Sequence, residues 1–165
     1  QTRAEHAYEF TDLLRSAGFE PGIRMDSHSF DPLTEKDAAR LNLKPGDMAL
    51  VVRKTFFAGE EPAIYCIDSI PKKLIISEFE DEELEEPIFK FMRERCRQET
   101  VQNLAELIPT LPTEELASLL EMDPAVPLLC IDEVGYNAKG EPVVLHSAFY
   151  RDQFVRFSLL RKRIW

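Results

Sequence analysis

The chain has 165 residues and a mass of 19.0 kDa, the size of one domain with a single hydrophobic core. Its 20 Lys and Arg against 30 Asp and Glu give a net charge of −10, which disfavours direct binding to nucleic acid or anionic lipid. The sequence contains neither an apolar run of the roughly 20 residues that a membrane span needs nor a signal peptide, so we expect a cytoplasmic protein without membrane contact.

Cysteine and histidine spacing argues against a disulfide framework or a metal site. The three cysteines are odd in number and lack a C-x-x-C spacing, and the three histidines lie far apart. We therefore expect buried, reduced thiols and neither a metal nor another cofactor. The chain opens at Gln1 with residues that already have helical spacing, so we expect it to be a fragment of a longer protein.

In the first half, apolar spacing predicts an alternation of short helices and strands. Residues 3–17 have the spacing of a helix, and residues 22–30 that of a strand. Thr34 is placed to cap a short helix. Residues 48–57 and 63–70 are two strand-like runs around a Gly-Glu turn, which predicts a hairpin.

The middle of the chain and its end are less regular. Residues 78–86 hold seven carboxylates and are expected to form a solvated, mobile loop, with a lid over a pocket as the alternative. Residues 87–97 are predicted to form a second substantial helix that starts with proline. Residues 153–163 are predicted to add a last strand.

An internal repeat links the two halves at an offset of 79 residues, which becomes 80 after one extra residue in the second hairpin. The matched pairs are Thr34 with Thr113, Ala38 with Ala117, Leu41 with Leu120, Pro45 with Pro124, Leu50 with Leu129, Ala58 with Ala138, and Glu61-Pro62 with Glu141-Pro142. In each copy, the sequence predicts a strand, then a capped helix, a proline-containing turn and a hairpin.

The repeat predicts an α+β fold in which one antiparallel sheet takes three strands from each half and is flanked by helices. The hairpins at 48–70 and 127–150 would then be related by approximate twofold symmetry. Cys66 would correspond to His146, and Phe56 to Tyr136. A pocket at the junction would be lined by both halves.

A series of short motifs extends along nearly the whole chain in a fixed order. They are a helix ending in L-x-L-x-x-G, a Gly-Glu-Pro turn in each copy, a return strand ending in proline, and a closing Tyr-Arg and Arg-Phe. The residues are Leu41, Leu43, Gly46, Gly59, Glu61, Pro62, Pro71, Gly140, Glu141, Pro142, Tyr150, Arg151, Arg156 and Phe157. Together they resemble the UTRA domain, the effector-binding domain of GntR-type transcription regulators of the HutC subfamily.

The resemblance implies a single domain over residues 1–165 with a fold related to chorismate lyase. Members of the family carry a winged helix-turn-helix ahead of this domain, act as homodimers, and change their DNA affinity when a small metabolite binds. We therefore expect a small-molecule effector, a homodimer, and DNA contact only through a domain absent from this chain. The alternatives are an enzyme on the same fold, for example a lyase, and a pure dimerisation module.

The resemblance also implies ligand-binding positions. In members that bind amino-sugar phosphates, two arginines occupy the positions of Lys54 and Phe56, and a glutamate occupies that of Cys66. A Ser-Leu-Tyr run falls on residues 87–89, which places Phe89 at the tyrosine position. Of these polar ligand-binding groups, this sequence retains a single cation, Lys54. We therefore expect an effector that is neutral, zwitterionic or singly charged.

Two strand faces supply the other candidates, Asp68, His146 and Tyr150. In the family, tyrosine at the Tyr150 position often touches effector, and His146 shares its face. Aspartate is disfavoured in strands, so Asp68 is expected to accept from a ligand or to pair with a cation. Structural roles are the alternatives, namely a solvent-reaching Lys54 at a cleft rim and a satisfied core imidazole at His146. A thiolate–imidazolium pair of Cys66 and His146 would instead favour an enzyme.

Overall fold

The structure, a computed structural model, describes residues 2–3 and 9–164. Six antiparallel strands form the main sheet in the order β2-β3-β4-β7-β6-β5, and a pair of two-residue strands forms a second sheet. The strands are β1 (Thr2–Arg3), β2 (Pro21–Pro32), β3 (Met48–Ala58), β4 (Glu61–Pro71), β5 (Gln102–Thr110), β6 (Leu128–Tyr136), β7 (Pro142–Tyr150) and β8 (Phe157–Ser158).

The helices are short. They are α1 (Phe10–Ser16), α2 (Glu35–Arg40), α3 (Ile88–Phe91) and α4 (Glu114–Leu119), with single 3-10 turns at Lys72–Leu74 and Asp81–Glu85. A π-helical turn, Met92–Cys96, continues α3 and ends at Arg97 in the left-handed conformation. None of the helices in the described part of the chain is both long and apolar enough to cross a bilayer.

The predicted α+β fold and the duplication are both confirmed. Strands β2, β3 and β4 form one half of the sheet, and β5, β6 and β7 form the other in mirrored order. Thr34 and Thr113 cap α2 and α4, and each hydroxyl accepts from the backbone N–H three residues on. Ile67 on β4 faces Ser147 on β7, and these residues are 80 apart, so the pseudo-twofold axis passes through this pair.

The register corrects one predicted equivalence. Both β3 and β6 shift register at their turn ends, after Phe56 and after Gly135. The extra residue of the second half therefore lies in the turn, and Phe56 corresponds to Gly135 rather than to Tyr136. By the same offset of 79 residues, Lys54 corresponds to Glu133.

One face of the sheet is covered reciprocally by α2 and α4. Helix α2 belongs to the first half, yet the cluster it forms includes Leu145 of β7. Helix α4 belongs to the second half, and its cluster includes Tyr65 of β4. Each half thus buries the last strand of the other, which ties the two copies into one core.

The opposite face is covered by α1 at one end and by α3 with its π-turn at the other. Leu13 and Leu14 of α1 pack on one buried cluster, and Phe91 and Met92 pack on a second. The space between these two clusters lies over the pseudo-twofold axis.

Three local predictions were wrong. Residues 2–3 form a strand rather than the start of a helix, and α1 begins only at Phe10, while residues 4–8 lie outside the described part of the chain. The predicted last strand is limited to β8, which pairs in parallel with β1 and not with the main sheet. Part of the acidic segment is a 3-10 helix rather than a solvated loop, because Leu84 is fully buried and Arg95 is bonded to Glu83.

Candidate functional site

A cavity lies between the sheet and the two helices of this face. Its floor comes from β3, β4, β5, β6 and β7, and its sides come from α1 and from the start of α3. The lining residues are Glu9, Phe10, Thr11, Leu13, Ile23, Lys54, Phe56, Asp68, Glu86, Pro87, Ile88, Phe89, Asn103, Ala105, Leu107, Ile131, Glu133, His146, Tyr150 and Phe157. Both halves contribute, as the repeat predicted.

Three ionisable side chains cross the cavity floor in register. Asp68 on β4 faces His146 on β7, and His146 faces Glu133 on β6. Because paired residues project to the same face of a sheet, Asp68, His146 and Glu133 form one line across three strands, which we call the polar row. The polar row separates the two apolar clusters.

The centre of the polar row is a hydrogen-bonded His–Asp pair. His146 Nδ1 lies 2.5 Å from Asp68 Oδ1, and both residues are almost fully buried. Burial by itself lowers the pKa of His146, but the charge and hydrogen bond of Asp68, helped by Glu133, outweigh burial and raise it. His146 Nε2 is buried and has no hydrogen-bond partner within the described residues.

Lys54 is buried as well, with 3% of its surface exposed, so the expected position at a cleft rim is wrong. Its Nζ donates to the backbone oxygen of Glu86 at 2.6 Å, which fastens the end of the acidic segment over β3. Burial lowers the pKa of Lys54, against the opposing effect of Asp68. Lys54 is thus a desolvated cation beside the polar row.

Glu133 closes the other end of the polar row. Burial raises its pKa, while the charge of His146 and a hydrogen bond with Asn103 act in the opposite direction. This carboxyl group therefore takes up a proton more readily than an exposed glutamate does.

Aromatic side chains line the apolar part of the cavity. Phe10 of α1 lies 4.7 Å from Phe56 between ring centroids, and Tyr150 lies 4.9 Å from Phe157. The ring of Phe89 and the imidazole of His146 form a T-shaped pair with centroids 5.5 Å apart. The site therefore combines a few buried charges with surfaces that suit an apolar or planar group.

Six of the seven predicted candidates line the cavity, and Cys66 does not. The six are Lys54, Phe56, Asp68, Phe89, His146 and Tyr150. Cys66 lies in the core cluster beneath, where its Sγ donates to Asp68 at 3.5 Å. Burial raises the pKa of this thiol well above its ordinary value, and Asp68 is the hydrogen-bond partner of both Cys66 and His146, so the structure gives no support to a thiolate–imidazolium pair of these two residues.

Sequence reasoning missed several lining residues, above all Glu133 and Phe10. Glu133 had a signal, because it is an acidic residue that alternates with apolar positions on a strand, as Asp68 does. Phe10 was counted only as part of the apolar face of a helix. Glu86 lines the cavity at the end of the acidic run, whose charge alone gave no sign of that placement.

Comparisons with known proteins agree with this architecture. The family model of the UTRA domain matches residues 16–156. The effector domain of PhnF from Mycobacterium smegmatis superposes with a TM-score of 0.84 at 15% identity, covering 99% of this chain and 100% of that one. The ligand-binding domain of a candidate GntR-family transcriptional regulator from Bordetella bronchiseptica gives 0.78 at 18% identity, covering 87% and 91%.

The whole of PhnF extends beyond the match. Against that structure the TM-score is 0.83 at 16% identity, with 95% of this chain but 69% of PhnF covered. No curated protein matches the sequence in a direct comparison. Since the family model spans most of the chain and the solved structures share its fold, the chain belongs to the UTRA domain family.

Proposed function

We propose that this domain binds a small-molecule effector in the cavity and thereby regulates DNA binding by a separate domain of a cytoplasmic GntR-type regulator. The observation that carries the proposal is the cavity itself, which both halves of the sheet build and which contains a buried imidazole nitrogen without a hydrogen-bond partner among the described residues. Such concave, mostly apolar sites with a few fixed polar groups are typical of ligand pockets.

Two features support the assignment of effector binding to this domain and of DNA binding to another domain. The net charge of −10 makes this chain a poor partner for a phosphate backbone. The match also covers the effector domain of PhnF completely but only part of the whole protein. In this proposal, DNA contact belongs to a winged helix-turn-helix outside the present chain.

Helix α1 offers a route by which a ligand would be sensed. Glu9, Phe10, Thr11 and Leu13 all line the cavity, so one side of the site is formed by a short helix rather than by the sheet. A ligand that packs against Phe10 changes the position at which α1 is most stable. The sheet, with its continuous ladder of hydrogen bonds, is the more rigid side.

The direct test is a thermal-shift screen of a metabolite library on this chain. A ligand present at a hundred times its Kd adds about 2.7 kcal/mol of stability, which is easily detected. Ala105→Trp fills the cavity from β5 and is expected to abolish the response. Leu104→Trp, at the next and exposed position of the same strand, is the matched control and should keep it.

A screen without any stabilising compound would contradict effector binding and favour the pure dimerisation module.

The proposal also includes a homodimer, because regulators that bind paired DNA half-sites have the same twofold symmetry as those sites. Light scattering at high micromolar concentration should give twice the mass of 19.0 kDa. A monomer throughout that range would remove the dimer from the proposal and leave the ligand site untouched.

A further inference from the structure

The unpartnered nitrogen of His146 restricts the chemistry of the effector. Buried polar atoms are nearly always hydrogen-bonded, and an imidazole nitrogen left without a partner destabilises the fold. Among the buried side-chain nitrogen and oxygen atoms of the described residues, His146 Nε2 is the one without a partner, and His146 lines the cavity. A group supplied by a ligand would complete this site.

The partner of the other ring nitrogen decides what Nε2 offers. The Asp68 carboxylate can only accept, so Nδ1 carries a proton in either charge state of the ring. The ring is hydrogen-bonded to Asp68 from β4, faces Glu133 from β6 and packs against Phe89 from α3, while Lys54 from β3 lines the same cavity. The two carboxylates outweigh the single lysine, which favours the imidazolium and makes Nε2–H a donor.

The remaining charges limit the ligand to one negative charge. Lys54 is the other buried cation at the site, and its ammonium group already donates to Glu86. Asp68 and Glu133 flank the imidazole on both neighbouring strands, and the exposed carboxylates of Glu9 and Glu86 lie at the cavity margin. A dianion such as a phosphate would meet more repulsion than attraction here. An ammonium group would be unfavourable as well, because it can only donate and would face the Nε2–H donor of His146.

We infer that the effector is a monocarboxylic acid whose carboxylate accepts a hydrogen bond from His146 Nε2 and whose apolar body lies against the aromatic residues of the cavity. This inference rests on the proposed function and names the ligand class of that same site. A carboxylate forms a charge-assisted hydrogen bond with an imidazolium, about twice as strong as the bond that a neutral acceptor makes. The aromatic residues Phe10, Phe56, Phe89 and Tyr150 suit a planar or branched body.

Four probes that share a phenyl ring test the head group. Phenylacetate carries one negative charge, phenylacetamide none, phenyl phosphate up to two, and 2-phenylethylamine a positive charge. Calorimetric titration of the 165-residue chain at pH 6.5 is expected to give phenylacetate a Kd about tenfold or more below that of phenylacetamide, with the other two weaker still.

Variants then assign the preference to the imidazole. His146→Gln is expected to bring phenylacetate and phenylacetamide to similar affinities. His28→Gln is the matched control, because His28 is half-buried on β2, lies 3.5 Å from Asp81 and is absent from the cavity lining, so the preference should persist. Nitrogen NMR of the unmodified protein gives a second readout that does not depend on the variant folding, since bound phenylacetate should shift the His146 Nε2 resonance while its proton is retained.

Two kinds of result overturn the inference. One is an amide, amine or phosphate probe that binds as tightly as phenylacetate, or phenylacetate binding that is equally tight in His146→Gln. The other is no detectable binding of phenylacetate and no shift of the Nε2 resonance. If a neutral or cationic metabolite then stabilises the protein in the library screen, the inference fails and the proposed function stands. If no compound of any class does so, both fail.

Discussion

At the scale of single residues, three almost wholly buried ionisable groups, Lys54, Asp68 and His146, dominate the energetics of the cavity floor. Taking a charge out of water costs several kcal/mol unless a partner compensates it. Asp68 and His146 compensate each other, while Lys54 is held by the backbone oxygen of Glu86. Such a site is stable only within a limited pH range and tolerates few substitutions.

The His146–Asp68 pair predicts a pH-dependent effect of Asp68→Asn, which keeps the size of the side chain and removes its charge. The pKa of His146 is raised above 6.5 in the folded protein, so the stability that the pair contributes is fully present below pH 6.5 and is lost as pH rises through the raised value. Asp68→Asn should therefore cost about 1.5–3 kcal/mol at pH 5.5 and clearly less at pH 9. Urea unfolding of both proteins at the two pH values measures this, and a cost that grows with pH would contradict it.

Lys54→Met is expected to destabilise the fold, because it leaves the Glu86 carbonyl without its donor. The expected cost is about 1.5–3 kcal/mol, the value for a hydrogen bond made by a charged group. Lys36→Met replaces an exposed lysine of α2 and should stay within about 0.5 kcal/mol of the parent. Equal stability of the two variants in urea unfolding would show that the bond to Glu86 contributes nothing.

At the scale of elements, the duplicated unit keeps its local chemistry although most of its residues differ. Thr34 and Thr113 both lie in extended backbone just before their helices and cap them in the same way. Asn42 and Glu121, 79 residues apart, both adopt a left-handed conformation just after these helices. Helices of six residues have little intrinsic stability, so caps and packing hold them.

The two caps should be equivalent in energy. Thr34→Ala and Thr113→Ala are each expected to cost about 0.5–2 kcal/mol, and the double variant the sum, because α2 and α4 have no capping group in common. Serine at either position keeps the accepting oxygen and should restore most of the loss. Thermal unfolding of the five variants tests this, and a cap that costs nothing in one half would argue against the equivalence.

Elements with local signals were predictable, and those set by distant contacts were not. The caps, the proline and glycine turns and the apolar runs of β3 and β4 lie in the sequence itself, so the sheet and its halves could be derived. The π-turn at Met92–Cys96 has no local signature, since both its ends depend on packing. The pairing of Asp68 with His146, 78 residues apart, follows only from the register of β4 against β7, and so the candidate residues were named without their contacts.

At the scale of the whole molecule, the reciprocal covering of the sheet makes the halves interdependent. The cluster beneath α3 also crosses the boundary, since it joins Leu50 and Ile70 of the first half to Val143 and Val144 of the second. Neither half can unfold without exposing apolar surface of the other. A single cooperative transition is the expected behaviour.

Leu50→Ala tests this interdependence from within the first half. Leu50 is fully buried, so its truncation should cost about 2–5 kcal/mol. Amide exchange in β6, which belongs to the second half, should accelerate by the same free energy as exchange in β3. Protection that falls in β3 while β6 keeps its original rates would instead show two separately folding units.

The pseudo-twofold axis has a further consequence for the cavity, because the positions that it exchanges hold chemically opposite groups. Lys54 corresponds to Glu133, Cys66 to His146, and Asp68 to Ala148. A molecule in the cavity turned by 180° about this axis would therefore meet the anion Glu133 where it had met the cation Lys54. The site therefore distinguishes the two orientations of a ligand about this axis, and an unsymmetrical effector should bind in one of them, with the reversed orientation less favourable.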